Sequence, residues 1–450
     1  MNIEQVKEVY FLGIGGIGMS ALARFFKSRG CSVFGYDRTS TPLTLELEAE
    51  GMNIHYEEDV DLIPDGVDLV VYTPAVSKKH SEYQFFLENG YPILKRSQVL
   101  GMISSEYKTI GIAGTHGKTT ITTLTAHLLQ QTPKGINAFL GGISKNYQSN
   151  LLLSPKSEWV VVEADEFDRS FLHLFPQIAV VTSVDADHLD IYKNLFSLKE
   201  SFTQFTGQIK PGGLLIIKKG ISLNVIQRPG LKVYTYSIDQ EADFTIQNLH
   251  INKGHYIFDL KLCDTTLKEV ELGYPGLFNV ENAIAASAAA WLAGATKEEI
   301  RRGLLSFSGV NRRFDIRINR EDLIYIDDYA HHPEELKACI NSVRHLYPEK
   351  KITGVFQPHL FSRTRDFADD FAHSLELLDE VILLEIYPAR EQPIEGIDSQ
   401  MLLDKINKTT KRLCRNDDLI ETLKTLKPEL LLTLGAGDID QFVGPIEESL

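Results

Sequence analysis

The stretch Gly111–Thr120, GIAGTHGKTT, decides how the chain is read. It follows a β-rich apolar run and ends on Lys118-Thr119-Thr120, residues that open a helix. A common phosphate-binding loop has a glycine six residues before its lysine. Here that position is Ile112, and the glycines stand at 111, 114 and 117. Gly114 and Gly117 bracket the turn, so the shortfall is one of register. Backbone N–H groups from Gly114, Thr115, His116 and Gly117 can cradle phosphate oxygens. Lys118 can reach the outer ones, and Thr119 can offer its hydroxyl to Mg²⁺. Thr120 follows in the first turn of the helix.

A second glycine loop lies upstream, Gly13-Ile-Gly15-Gly16-Ile17-Gly18. It also follows a strand, VYFLGIG, and opens a helix, and Asp37 ends the next strand. That context suits a diphosphate at a helix N-terminus. NAD, FAD and a UDP-sugar all carry the required pyrophosphate, so the motif leaves the three open. Around both loops, short apolar strands alternate with helices over the whole chain. This predicts an α/β protein with mainly parallel sheets.

At 450 residues the chain has room for about three domains at roughly 150 residues each. A net charge of −15 argues against a nucleic-acid partner, because phosphate neutralisation needs clustered Lys and Arg. The four cysteines, Cys31, Cys263, Cys339 and Cys414, form no CxxC pair. They fit free thiols in a reducing cytoplasm. The N-terminus MNIEQVKEVYFLG lacks a basic segment and a long apolar run, and no membrane span is expected.

Polar side chains gather after the strands, where open α/β sheets bind ligands. VVVEADEFD delivers Glu163, and VVTSVDADHLD delivers Asp185, Asp187, His188 and Asp190. A carboxylate here commonly serves a phosphate-loop metal, although Asp187 or Asp190 could equally cap a helix. The last third supplies cations and imidazoles. They are Arg312 and Arg313 in NRRFD, Asp327, Asp328, His331 and His332 in DDYAHHPEE, and His359, Arg363 and Arg365 in FQPHLFSRTRD. The histidine pair before a proline could simply start a helix.

The full set resembles the Mur ligases. GIGGIGMSALA, GTHGKTT, EADE, DADHLD, FNVENAIAA, NRRF, DDYAHHP and FQPHLFSRTRD occur in that family's order and spacing. The resemblance covers essentially the whole chain and points to the alanine-adding branch. It implies three domains: a Rossmann-like UDP-sugar domain over 1–105, a P-loop-type ATPase domain over 106–311, and a Rossmann-like domain over 312–450 for the incoming amino acid. It further implies ATP-dependent joining of L-alanine to UDP-N-acetylmuramate in peptidoglycan precursor synthesis, with Mg²⁺, through an acyl phosphate. A monomer or homodimer is expected. A relative that joins recycled tripeptide to the same UDP-sugar is the alternative.

Residue by residue, the resemblance gives ATP to Gly114–Thr120, with Lys118 on the outer phosphates, and to Asn279, Asn282, Arg313 and Asp328. Thr119, Glu163 and His188 would hold metal. Gly15, Gly16, Ile17, Gly18 and Asp37 would serve the UDP-sugar, with Arg96 a further contact. His331, His332, His359 and Arg363 would serve the alanine and acyl-phosphate end. The chain departs from the family pattern at Phe167, Phe278, Ala330 and Leu360. Phe202 stands where several members carry a carbamylated lysine, so no modified lysine is expected.

Overall fold

The computed structural model describes residues 3–185, 192, 194–252, 254–389, 391–408 and 410–450. They form a mixed α/β protein with three sheets. The first holds β1 (Glu8–Leu12), β2 (Ser32–Tyr36), β3 (Asn53–His55), β4 (Leu69–Tyr72) and β5 (Ile93–Lys95), in the order β3-β2-β1-β4-β5. Its pairings are all parallel. The order reverses beside β1, which places the GIGGIG loop at the topological switch point of a Rossmann-like sheet.

The second sheet has ten strands. At its centre β6 (Lys108–Ala113) pairs in parallel with β9 (Trp159–Ala164) and with β10 (Ile178–Val181). Beyond β9 lie β7 (Asn137–Ser144) and β8 (Ser149–Leu152), the last antiparallel. Beyond β10 lie β11 (Leu214–Lys218), β12 (Lys232–Tyr236), β13 (Phe244–Asn252), β14 (His255–Leu262) and β15 (Thr265–Leu272). These five strands fall between residues 214 and 272. The third sheet runs β16-β17-β21-β18-β19-β20. Its strands are β16 (Asp315–Asn319), β17 (Ile324–Asp328), β18 (Ile352–Phe356), β19 (Glu380–Leu383), β20 (Lys411–Leu413) and β21 (Leu430–Leu434). Only the edge strand β16 is antiparallel. Strands such as β10 and β21 are buried at every position, and their near-continuous apolar runs suit sheets covered on both faces.

By compactness the chain forms two units. One comprises Met1–His250, Ile257–Gly273 and Asn282–Ser308, and the other Ile251–Tyr256, Tyr274–Glu281 and Gly309–Leu450. The first unit therefore holds both glycine loops. Helix Ile17–Ser28 explains how its two sheets join. It is buried without a break from Met19 to Phe26, including Arg24. One side packs on the first sheet, with Phe26 against Phe11 at 6.2 Å, and the other packs on β7, with Phe25 against Phe139 at 5.6 Å.

The polar centre of this junction is Asn150 on β8, which is fully buried. Its amide donates to the Ile17 carbonyl at 2.6 Å and to Ser20 Oγ at 2.8 Å. Its oxygen accepts from Arg24 at 2.7 Å, and Arg24 also pairs with Glu46 and Glu50. Removing one partner from such a buried set leaves the others unsatisfied. Asn150→Ala should therefore cost about 1–3 kcal/mol, read as a lower urea midpoint. An unchanged midpoint would mean that the network contributes nothing net.

Candidate active site

The register of the second sheet assembles the site. Ala113 is level with Ala164 on one side and Val181 on the other. Three chain segments consequently leave the sheet side by side: the glycine loop after β6, Asp165 onward after β9, and Thr182 onward after β10. Gly114 adopts φ 141° and Gly117 φ 81°. A Cβ on Gly114 would collide with the Thr182 hydroxyl, so only glycine lets the loop lie this close. Thr182 Oγ1 donates to the His116 carbonyl at 2.6 Å, and Ser183 Oγ accepts from the His116 N–H at 2.9 Å. Thr115 Oγ1 donates to Ser183 Oγ at 2.9 Å and accepts the Asp185 N–H at 3.1 Å. His116 Nε2 lies 3.6 Å from Asp185. The loop is thus clamped to the end of β10.

Gly117 caps helix Lys118–Gln130. The Lys118 ammonium donates to the Gly114 carbonyl at 2.7 Å and to Glu166 at 2.9 Å. Burial alone would push the lysine pKa down, but the carboxylates of Glu166, Asp165 and Glu163 outweigh it and hold the group above its usual range. Lys118 is therefore a cation at any working pH. Glu163 lies against Gly141, where a Cβ would meet its carboxylate.

A cleft of about 250 Å³ lies between the upstream glycine loop and the end of β9. Gly16, Ile17 and Gly18 form one wall, Arg96 another, and Gly141, Glu163 and Asp165 a third. Arg96 lies over Gly18, where a Cβ would come within 2.7 Å of the guanidinium, and reaches Asp165 at 3.7 Å. Asp37 accepts the Gly15 N–H at 2.8 Å, so its carboxylate fixes the loop itself.

In the second unit Asp328, at the end of β17, is buried and accepts N–H bonds from Phe314 at 2.6 Å and Ala330 at 2.8 Å. Burial raises its pKa to about 6, against the opposing pull of Arg313 and of those two N–H groups. The neighbouring Asp327 pairs with Arg312 at 3.1 Å. Arg312 and Arg313 both lie over the Tyr329 ring, at 5.3 and 4.8 Å. His332 is the N-cap of helix Pro333–Leu346, the helix-starting role that its place before proline allowed. His331 Nδ1 is 3.3 Å from Glu335, and His359 stacks on Tyr387. Arg363 lies on the short helix Phe361–Asp366, which follows Leu360 at φ 71°.

Three family descriptions cover the chain in sequence: "Mur ligase family, catalytic domain" over residues 8–108, "Mur ligase middle domain" over 112–290, and "Mur ligase, glutamate ligase domain" over 312–437. The chain belongs to the Mur ligase family. A UDP-N-acetylmuramate–L-alanine ligase of Phocaeicola vulgatus is 52% identical to this Mur ligase, over 99% of this chain and 98% of the relative. The same-named enzyme of Parabacteroides distasonis is 50% identical over 100% and 98%. Among solved structures, UDP-N-acetylmuramate-alanine ligase of Thermotoga maritima has a TM-score of 0.84 at 27% identity, covering 99% of each chain. A murein peptide ligase of Psychrobacter arcticus shares the fold, with a TM-score of 0.75 at 22% identity over 98% of each chain.

In this Mur ligase the GTHGKTT loop, Glu163, the GIGGIG loop, Asp37 and Arg96 all lie within the first unit. So does Asn282, whose Oδ1 lies 2.9 Å from where a Cβ on Gly117 would stand. Asn279, on the same helix Leu277–Leu292, falls in the second unit and donates to the Pro275 carbonyl. Asp187, His188 and Asp190 lie outside the described residues. Among the described residues no three His, Cys, Asp or Glu side chains converge as a cation cage. Phe278 packs edge-on against Phe314, and Phe202 is buried against Phe171.

Sequence reading missed Glu166, Thr182, Ser183 and the Lys95–Asp168 pair at 2.6 Å. Only Glu166 carried a signal, as the third acid of EADE, after a strand beside the GTHGKTT loop.

The raised pKa of Asp328 has a consequence for stability. Between the ordinary aspartate range and about pH 6, the folded chain holds a proton that the unfolded chain has lost. Stability should fall as pH rises through that window and level off above it. Comparing denaturation midpoints of wild type and Asp328→Asn across pH 4–7 isolates this slope, and parallel curves would refute it.

Proposed function

We propose that the protein joins L-alanine to UDP-N-acetylmuramate at the expense of ATP. The acceptor carboxylate attacks the γ-phosphorus of ATP and ADP leaves, giving an acyl phosphate. The amine of L-alanine then attacks the carbonyl carbon, and phosphate departs as the amide forms and a proton is lost. The observation that carries this reading is the cleft that brings the GIGGIG loop and Arg96 up to Glu163 and Asp165 beside Lys118. Two anionic substrates need such an arrangement, and relatives half identical over the full length carry the matching name.

Within the first unit, backbone N–H groups from Gly114 to Gly117 bind the phosphates and Lys118 neutralises the outer ones. Thr120 supports the first turn, and Asn282 contacts the nucleotide beside Gly117. Gly15, Gly16, Ile17 and Gly18 receive the UDP diphosphate, Arg96 offers it a cation, and Asp37 keeps the loop in shape. The hydroxyl of Thr119 and the carboxylate of Glu163 are hard oxygen donors that suit Mg²⁺, and Gly141 leaves room for that carboxylate. When bound, the ion supplies positive charge to the phosphoryl oxygens. We place the domain limits at 1–105, 106–311 and 312–450.

The test is ligation in ATP, Mg²⁺ and UDP-N-acetylmuramate with the amine varied among L-alanine, L-serine, glycine and a tripeptide. Phosphate release should require both the UDP-sugar and the amine, with L-alanine preferred. Release that ignores either would end the ligase reading, and preference for the tripeptide would move the protein to the murein peptide ligases.

Lys118→Ala should cut kcat by on the order of 10³-fold or more while UDP-sugar binding, measured by calorimetry, is retained. A parallel loss of UDP-sugar affinity would show that the loops have been assigned to the wrong ligands.

A further inference from the structure

The phosphate-loop lysine has its charge matched by a wholly buried glutamate. Two oxygens of Glu166 lie 2.9 and 2.8 Å from the Lys118 ammonium, and the glutamate is wholly buried. The chain around it is held from several directions. The Glu166 carbonyl accepts the Arg169 N–H at 2.9 Å and the Tyr192 hydroxyl. The Asp165 carbonyl accepts the Phe171 N–H at 2.9 Å, and its carboxylate accepts the Phe167 N–H at 3.0 Å. Asp168 and Arg169 follow at φ 51° and 55°. Non-glycine residues keep that conformation only where their surroundings impose it. Lys95 supplies one such constraint through Asp168, at 2.6 Å. Glu166 is therefore an anion carried on a held stretch of chain and paired with the Lys118 ammonium.

We propose that Glu166 is a positioning residue for phosphoryl transfer. An ammonium has three donors. The Gly114 carbonyl and Glu166 fix two of those directions, which leaves the third aimed by geometry at a phosphate oxygen in the loop. The same carboxylate opposes the phosphates by its charge, so it weakens nucleotide binding while it sharpens placement. The inference rests on the reading of Lys118 as the phosphate ligand.

Charge and placement separate in two variants of the full chain. Glu166→Gln keeps the shape and removes the charge. Its Kd for Mg·ADP, by calorimetry, should tighten about tenfold, since an opposing charge a few ångströms away is lost. Its kcat for ligation should fall by about ten- to a hundredfold as the ammonium exchanges a charged partner for a weaker, neutral acceptor. Glu166→Asp keeps the charge and shortens the reach, so kcat should fall while Kd stays near wild type. Thermal melting and UDP-sugar binding report whether each variant is folded.

A wild-type protein that binds no Mg·ADP would defeat the ligase reading itself. A wild type that binds, with a folded Gln variant of equal or weaker affinity, would leave that reading standing and overturn the role of Glu166. If the Gln variant does not fold, the Asp variant decides: an unchanged kcat overturns the proposal, and a reduced kcat at wild-type Kd supports it.

Discussion

Everything at the site depends on the register of three neighbouring parallel strands. Because Ala113, Ala164 and Val181 stand level, the chain leaves β6, β9 and β10 at the same height. A slip of one residue in a parallel strand would turn its side chains to the opposite face. Thr182 would then no longer reach the His116 carbonyl, and Glu166 would no longer meet Lys118. The apolar runs that look like mere core therefore set the chemistry. Val160 to Val162 and Ile178 to Val181 are fully buried, and burial on both faces is what forbids the slip.

The glycine loops themselves were readable because each is local. A turn between strand and helix that needs φ above zero declares itself by glycine, and Gly114 and Gly117 do adopt such angles. Asp37 was also visible by its place at a strand end, although its carboxylate spends itself on the Gly15 N–H. Glu166 was hidden because EADE offers three acids in four positions, and only packing decides which one is buried against the lysine. Lys95 and Asp168 are separated by 73 positions, and no pattern in either segment names the other. His332 illustrates the opposite case. Its motif suggested chemistry, while the helix that follows gives it a capping role.

Buried acids in the two units meet more than one kind of partner. In the first, Glu166 is answered by a lysine. In the second, Asp328 accepts two backbone N–H bonds, and its pKa still rises because desolvation dominates. Its neighbour Asp327 faces Arg312 and the Thr433 hydroxyl, and burial pushes it up as well. Hydrogen bonds and a cation can hold a carboxylate in place without making it strongly acidic.

The mixed lining of the cleft bears on selective inhibition. Beside Arg96 and the carboxylates, its wall includes Met19, Leu100, Phe139 and Leu140. A compound with an anionic group for Arg96 and an apolar body for that wall need not imitate a nucleotide. On the proposed assignment of the two loops it would compete with the UDP-sugar and not with ATP, so abundant cellular ATP would not displace it.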